Sequence, residues 1–120
     1  MIVDDSAMSR RMLREILLSD GHEVIEAQDG MAALESYFLQ KPDLVMLDLI
    51  MRGMYGLDVL AKLREMDPKA RAIVASADIQ SSTRRLAAES GAAGFITKPF
   101  NREEIIAAVH KVLAGENRAS

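Results

Sequence analysis

The 120-residue chain predicts an α/β fold, a parallel five-stranded sheet sandwiched between two layers of helices. Two observations carry this. Residues 44–47 and 72–76 are short apolar runs of the kind a central parallel strand shows when both its faces are buried. Such runs alternate with segments of helical spacing, βα repeated five times, and that order implies a parallel sheet covered on both sides. The length suits one core and is too short for two. Hydrophobic residues make up 49%, with no Trp, three Phe and two Tyr, so the interior is expected to be aliphatic and rich in Met.

Each element has its own signals. Residues 1–3 form a very short first strand running into Asp4 and Asp5. Ser6 is a helix cap, and Met8, Met12, Leu13, Ile16 and Leu17 make an apolar stripe that Gly21 closes. Arg10, Arg11 and Arg14 lie off that stripe and read as a solvated face. Residues 23–27 make the second strand. Asp29 caps a second helix with Ala33, Leu34, Tyr37 and Phe38 inward, stopped before Pro42 because the residue preceding proline disfavours helix. The third strand, 44–47, ends in Asp48 and breaks into a glycine-bearing loop. Leu57, Leu60, Ala61 and Arg64 mark a third helix, ended at Asp67 and Pro68. The fourth strand, 72–76, is followed by a polar helix over 81–90 with Leu86 and Ala87 as its weak apolar face. The fifth strand, 94–97, runs into Lys98, Pro99 and Phe100. Asn101 and Glu104 resemble a capping box opening the last helix, whose core stripe is Ile105, Val109, Val112 and Leu113. Gly115 ends the domain, and 116–120 is a polar tail expected to fray.

Composition excludes several functions. A formal charge of −3, from 15 basic and 18 acidic residues, gives no support for direct nucleic-acid binding. The absence of cysteine removes disulfides, thiolate metal sites and cysteine nucleophiles. No apolar run approaches the ~20 residues that span a bilayer. The start lacks a basic region followed by an apolar one, so no signal peptide is read and a cytoplasmic domain is expected. His22 and His110 read as surface residues without metal-ligand company.

The chemistry gathers at the strand ends, where ligands bind in open α/β sheets. Strand one ends in Asp4 and Asp5, strand three in Asp48, strand four in Ser76 and strand five in Lys98. If the order is 2-1-3-4-5, all of these converge on one edge. Crowded carboxylates repel and need a cation or a proton. Oxygen ligands without His or Cys favour a hard ion such as Mg²⁺, which pairs with phosphate. Lys98 and Ser76 can bond an anion. The constellation suits phosphoryl transfer onto Asp48.

With Asp4, Asp5 and Ser6, Asp48 with Met51, Met54 and Gly56, Ser76 with Ala77, and Lys98, Pro99 and Phe100, the chain resembles a response regulator receiver domain over essentially its whole length. Its size is nearest the single-domain chemotaxis-type receivers. The resemblance implies the flavodoxin-like sheet order 2-1-3-4-5 and a role in two-component signalling. It implies that Asp48 takes a phosphoryl group from a histidine kinase or histidine phosphotransfer protein. Asp5 would be the direct Mg²⁺ ligand, with Asp4 acting largely through water, Asp48 itself and the Ile50 backbone carbonyl. Ser76 and Lys98 would each bond a phosphoryl oxygen. Phe95 would be the aromatic switch that turns inward as Ser76 moves; a plain core role for Phe95 is compatible with this. The chain would be a signalling switch, not an enzyme, though it assists its own aspartyl phosphorylation and dephosphorylation.

By the same resemblance, the first helix (Ala7, Met8, Arg11) would meet the kinase. The face built from the fourth helix, fifth strand and fifth helix (Arg84, Arg85, Ala92, Phe95 and residues around His110) would report to an unknown protein target, from a monomer or a phosphorylation-linked dimer. Three departures stand out. Arg52 occupies the place of the family's usual proline, so its loop is expected to be more mobile. Ile50 brings an apolar side chain near the path of attacking water, and Asp78 a negative charge. An aspartyl phosphatase would want an acid at position 50, and Asp4 and Asp5 would repel a flavin phosphate. A phosphorylation-independent adaptor is the remaining alternative. No effector segment is read in the sequence, whether the chain is a natural single domain or a piece of a larger regulator.

Overall fold

The computed structural model describes residues 1–78 and 80–115, so the expected frayed tail at 116–120 lies outside the described residues. The elements run β1 (Ile2–Val3), α1 (Ala7–Ser19), β2 (Glu26–Ala27), α2 (Gly30–Gln40), β3 (Val45–Asp48), β4 (Ile50–Met51), β5 (Met54–Tyr55), α3 (Gly56–Met66), β6 (Ala72–Ser76), α4 (Ser81–Glu89), β7 (Gly94–Thr97) and α5 (Arg102–Leu113). Five strands form a parallel sheet of order β2-β1-β3-β6-β7, the expected 2-1-3-4-5 once the separate β4-β5 ribbon is set aside. The fold is the flavodoxin-like three-layer sandwich.

Both sheet faces are apolar because side chains alternate along each strand. Val3, Val45, Leu47 and Val74 pack with Ala33 and Tyr37 of α2, Val59, Leu60 and Leu63 of α3, and Ala87 of α4. Ile2, Met46, Ile73, Ala75 and Ile96 face the other way, onto Leu13 and Leu17 of α1 and Ile105, Val109 and Val112 of α5. Thus α1 and α5 share one face. Capping follows the sequence signals: Ser6 Oγ accepts from Ser9 N at 3.2 Å, Asp29 Oδ1 from Ala32 N at 2.8 Å and Asn101 Oδ1 from Glu104 N at 3.0 Å. Gly21, at φ +87°, turns the chain away after α1.

Several inward assignments are corrected. Met8, Met12, Phe38 and Leu86 are 74%, 42%, 67% and 48% exposed. The helices lie flat on the sheet and bury a narrower stripe than their apolar content suggests: Leu13 and Leu17 suffice for α1 and Ala87 for α4. In α3 the buried stripe includes Val59 and Leu63, whereas Ala61 is exposed. The strand expected at 23–27 shrinks to Glu26–Ala27.

The segment expected as a glycine-bearing loop after Asp48 is in part a hairpin. Ile50 pairs with Tyr55 and Met51 with Met54, around a turn in which Gly53 takes φ +76°. It leads into Gly56, whose N–H donates to Leu49 O at 2.6 Å. A Cβ at Gly56 would collide with Asp48 O and lie 2.8 Å from Leu49 Cα. Only glycine lets α3 start this close to the strand that carries Asp48. Gly56→Ala is therefore expected to cost about 1–3 kcal/mol despite alanine's better helix propensity, because backbone must move; the midpoint of urea denaturation measures it, and an unchanged midpoint would show that the segment relaxes freely.

Candidate phosphoacceptor site

Adjacent parallel strands β1 and β3 bring Asp4 and Asp48 together at the carboxyl edge of the sheet. Register pairs Val3 with Leu47, so the residue following each pair is a carboxylate on neighbouring strands. Both are buried, at 1% and 7% exposure, while Asp5 is exposed. Oxygen atoms of Asp4, Asp5 and Asp48 all lie within 4.8 Å of one another. Lys98, just past β7, sets its Nζ 3.2 Å from Asp4 Oδ2 and 3.1 Å from Asp48 Oδ1. Its backbone N–H donates to Ser76 O at 2.9 Å, and the Lys98–Pro99 peptide is cis. Ser76 is buried at the end of β6, and its Oγ accepts from Asp78 N at 3.0 Å. The five residues read from the strand ends are thus collected on one edge, as expected.

One ammonium faces two buried carboxylates, and the electrostatics reflect it. Burial, then the charge of Asp4, raises the Asp48 carboxyl above the usual range, against the lowering effect of Lys98. Burial alone would lower Lys98; hydrogen bonds and charge from Asp48 and Asp4 outweigh it and raise it. The remaining oxygens are organised by backbone: Ser6 N donates to Asp4 Oδ1 at 2.8 Å, and Arg52 N to Asp5 Oδ2 at 2.9 Å. Arg52 therefore contributes its amide, from the hairpin turn, while its residue remains exposed.

Arg10, read as part of a solvated face, is a correction. Its side chain is 14% exposed, donates to the Asp4 carbonyl at 2.6 Å and pairs with Glu26 at 3.3 Å. The helical stripe could not reveal this, because the partner carbonyl belongs to the turn before the helix. Arg11 and Arg14 do sit toward solvent, paired with Glu15 and Glu26. Asp78 Oδ2 accepts from Thr83 Oγ1 at 2.6 Å and Oδ1 from Gln80 N at 3.0 Å, bonds that hold its carboxyl below the usual range and anchor the start of α4. Phe95 is half-buried on β7 against the core, with the Arg84 guanidinium 4.8 Å from its ring centroid. Ile50 is 69% exposed beside the acidic edge.

A family model for the response regulator receiver domain matches residues 1–110. The chain belongs to the response regulator receiver family. Receivers similar to it include the chemotaxis protein CheY of Bacillus subtilis, 40% identical over 114 residues, covering 94% of this chain and 95% of that one. Sporulation initiation phosphotransferase F of the same organism is 34% identical, covering 94% and 91%. Among solved structures, a chain of the CheX–CheY–BeF₃–Mg²⁺ complex from Borrelia burgdorferi superposes with TM-score 0.88 at 35% identity, over 92% of this chain and 85% of that one. The receiver domain of NtrX from Brucella abortus gives 0.90 at 30%, over 94% and 96%. The chain is thus a two-component receiver, and receivers generally bind Mg²⁺ at an acidic cluster. The donors here fit such an ion: three carboxylates, no nitrogen or sulfur ligand among them, and a single lysine that leaves their charge unbalanced. Among the described residues no helix is long and apolar enough to cross a membrane.

Because Asp48 titrates above its unfolded value, its ionised form opposes folding at neutral pH. That penalty vanishes as pH falls through the raised folded value to the ordinary carboxylate range. Asp48→Asn is expected to raise the thermal midpoint at pH 7, with the gain shrinking toward pH 4; a loss of stability at pH 7 would show instead that the Lys98–Asp48 pair outweighs the repulsion.

Proposed function

We propose that Asp48 accepts a phosphoryl group from the phosphohistidine of a histidine kinase or histidine phosphotransfer protein. The carboxylate oxygen attacks phosphorus, the P–N bond breaks, and the imidazole leaves with the electron pair. The observation that carries this reading is the bridging position of Lys98, within hydrogen-bond reach of both Asp4 and Asp48. An ammonium held there can bond an oxygen of the incoming group, while the Ser76 hydroxyl, at the adjacent strand end, can donate to another. Asp5, Asp48 and the Ile50 carbonyl, with Asp4 through water, would hold Mg²⁺, which neutralises phosphoryl oxygens when bound.

The output follows from the same residues. Displacement of Ser76 toward the phosphoryl group would let Phe95 move inward from beneath Arg84 and would alter the face of α4, β7 and α5, where a downstream protein binds. The chain acts as a switch whose own groups assist phosphorylation and dephosphorylation, within the cytoplasm, and not as an enzyme on a separate substrate. The partner kinase meets α1 near Met8 and Arg11, where Met8 is 74% exposed.

Incubation with Mg²⁺ and acetyl phosphate, followed by intact mass, is expected to add one phosphoryl group to the wild type and none to Asp48→Ala. No addition to the folded wild type would favour a phosphorylation-independent adaptor, and addition to the variant would place the acceptor elsewhere. The exposed apolar side chain of Ile50 offers no hydrogen bond to an attacking water. Ile50→Asn is expected to shorten the lifetime of the phosphorylated protein severalfold, and equal decay rates would refute that role.

A further inference from the structure

A second group of metal-binding side chains meets at the far end of α1. Asp20 is the C-cap of that helix, and the positive φ of Gly21 returns the chain so that His22 Nε2 lies 2.9 Å from Asp20 Oδ2. His110, from the last turns of α5, places its Nε2 2.7 Å from the same oxygen. The two rings meet edge to face, with centroids 6.2 Å apart and planes at 73°. Reading these histidines as isolated surface residues is thereby corrected: residues 90 positions apart converge on one carboxylate oxygen, and the three ligand atoms lie within 4.8 Å of one another.

We propose that Asp20, His22 and His110 bind one divalent transition-metal ion of the zinc type, through both Nε2 atoms and a carboxylate oxygen, with the outward position left to water. Two imidazoles and a carboxylate are a ligand set that suits zinc and its neighbours and not Mg²⁺. Bonds of about 2.0–2.1 Å in a tetrahedron set ligand atoms roughly 3.3 Å apart. The Asp20 oxygen, 2.9 and 2.7 Å from the two nitrogens, withdraws by roughly half an ångström from each. The two nitrogens, within 4.8 Å of one another, take the same spacing, and these are side-chain adjustments open to groups that are 20%, 27% and 60% exposed. Each ring hydrogen-bonds the carboxylate through Nε2; on metal binding the ring proton moves to Nδ1, so each neutral imidazole presents an Nε2 lone pair to the ion. Bound there, it would tie the end of α1 to α5.

The chain contains only two histidines, so histidine-selective ¹H–¹⁵N NMR reads this site directly. The titrant is ZnCl₂ with excess Mg²⁺ present to occupy the acidic edge. Both imidazoles are expected to shift together and saturate at one equivalent, and Co²⁺ in place of Zn²⁺ is expected to give tetrahedral visible bands. His22→Gln and His110→Gln should each weaken binding by about tenfold or more, and Asp20→Asn should weaken it while leaving the helix cap, a backbone bond, in place. Resonances unmoved at millimolar Zn²⁺, movement of one ring alone, or affinity unchanged in His110→Gln but lost in Asp5→Asn would each overturn the site.

Discussion

The structure depends on an electrostatic mismatch at one edge of the sheet: two buried carboxylates, Asp4 and Asp48, share one ammonium, Lys98. Burying ionised groups is costly unless they are paired and hydrogen-bonded. Much of the local architecture meets that requirement. The first amide of the α1 approach bonds Asp4, Arg10 reaches back to its carbonyl, and the hairpin turn gives its amide to Asp5. Replacing any of these acids with an apolar residue would ease the mismatch. Under the proposed function the surplus negative charge is what a divalent cation would neutralise, and a phosphoryl group would then be met by that cation and by Lys98.

The same edge is joined to the start of α4 and to β7 by short covalent and hydrogen-bonded steps. Ser76 binds Lys98 through its carbonyl and Asp78 through its hydroxyl; Asp78 in turn holds Gln80 and Thr83 at the start of α4. Phe95 stands on the neighbouring strand, across from Val74, under a guanidinium contributed by α4. Under the proposed function a displacement at Ser76 would act on one helix start and on one aromatic ring that is partly buried against the core.

The strand ends were legible in the sequence because they are local: an apolar run that stops at Asp48, Ser76 or Lys98 places that residue at an edge whatever surrounds it. Helix faces were less legible. Met8, Met12, Phe38 and Leu86 satisfy a helical period, but how wide a stripe is covered depends on the sheet beneath, and on α1, α2 and α4 the sheet covers little beyond Leu13, Leu17, Ala33, Tyr37 and Ala87. Arg10 was misread for a related reason, its acceptor being backbone that carries no residue-type signal. The Asp20, His22 and His110 group was missed although Gly21 was read as closing α1, because bringing His110 onto Asp20 depends on how α1 and α5 pack together on one face, which no window of sequence shows.

Both clusters follow from one topology. The order β2-β1-β3-β6-β7 sets β1 beside β3, which joins the acids, and seats α1 and α5 on a common face, which joins the histidines. They lie at opposite ends of α1, whose 13 residues span about 20 Å at 1.5 Å per residue. That exceeds the screening length of about 8–10 Å at ordinary ionic strength. Charge at one cluster therefore does little to the other through solvent. Communication between them would have to be mechanical, through the packing of Leu13 and Leu17 on the sheet and of α1 beside α5. A metal tie between those helices would leave the acidic edge chemically unchanged, and under the proposed function it would act on the α5 side of the output face.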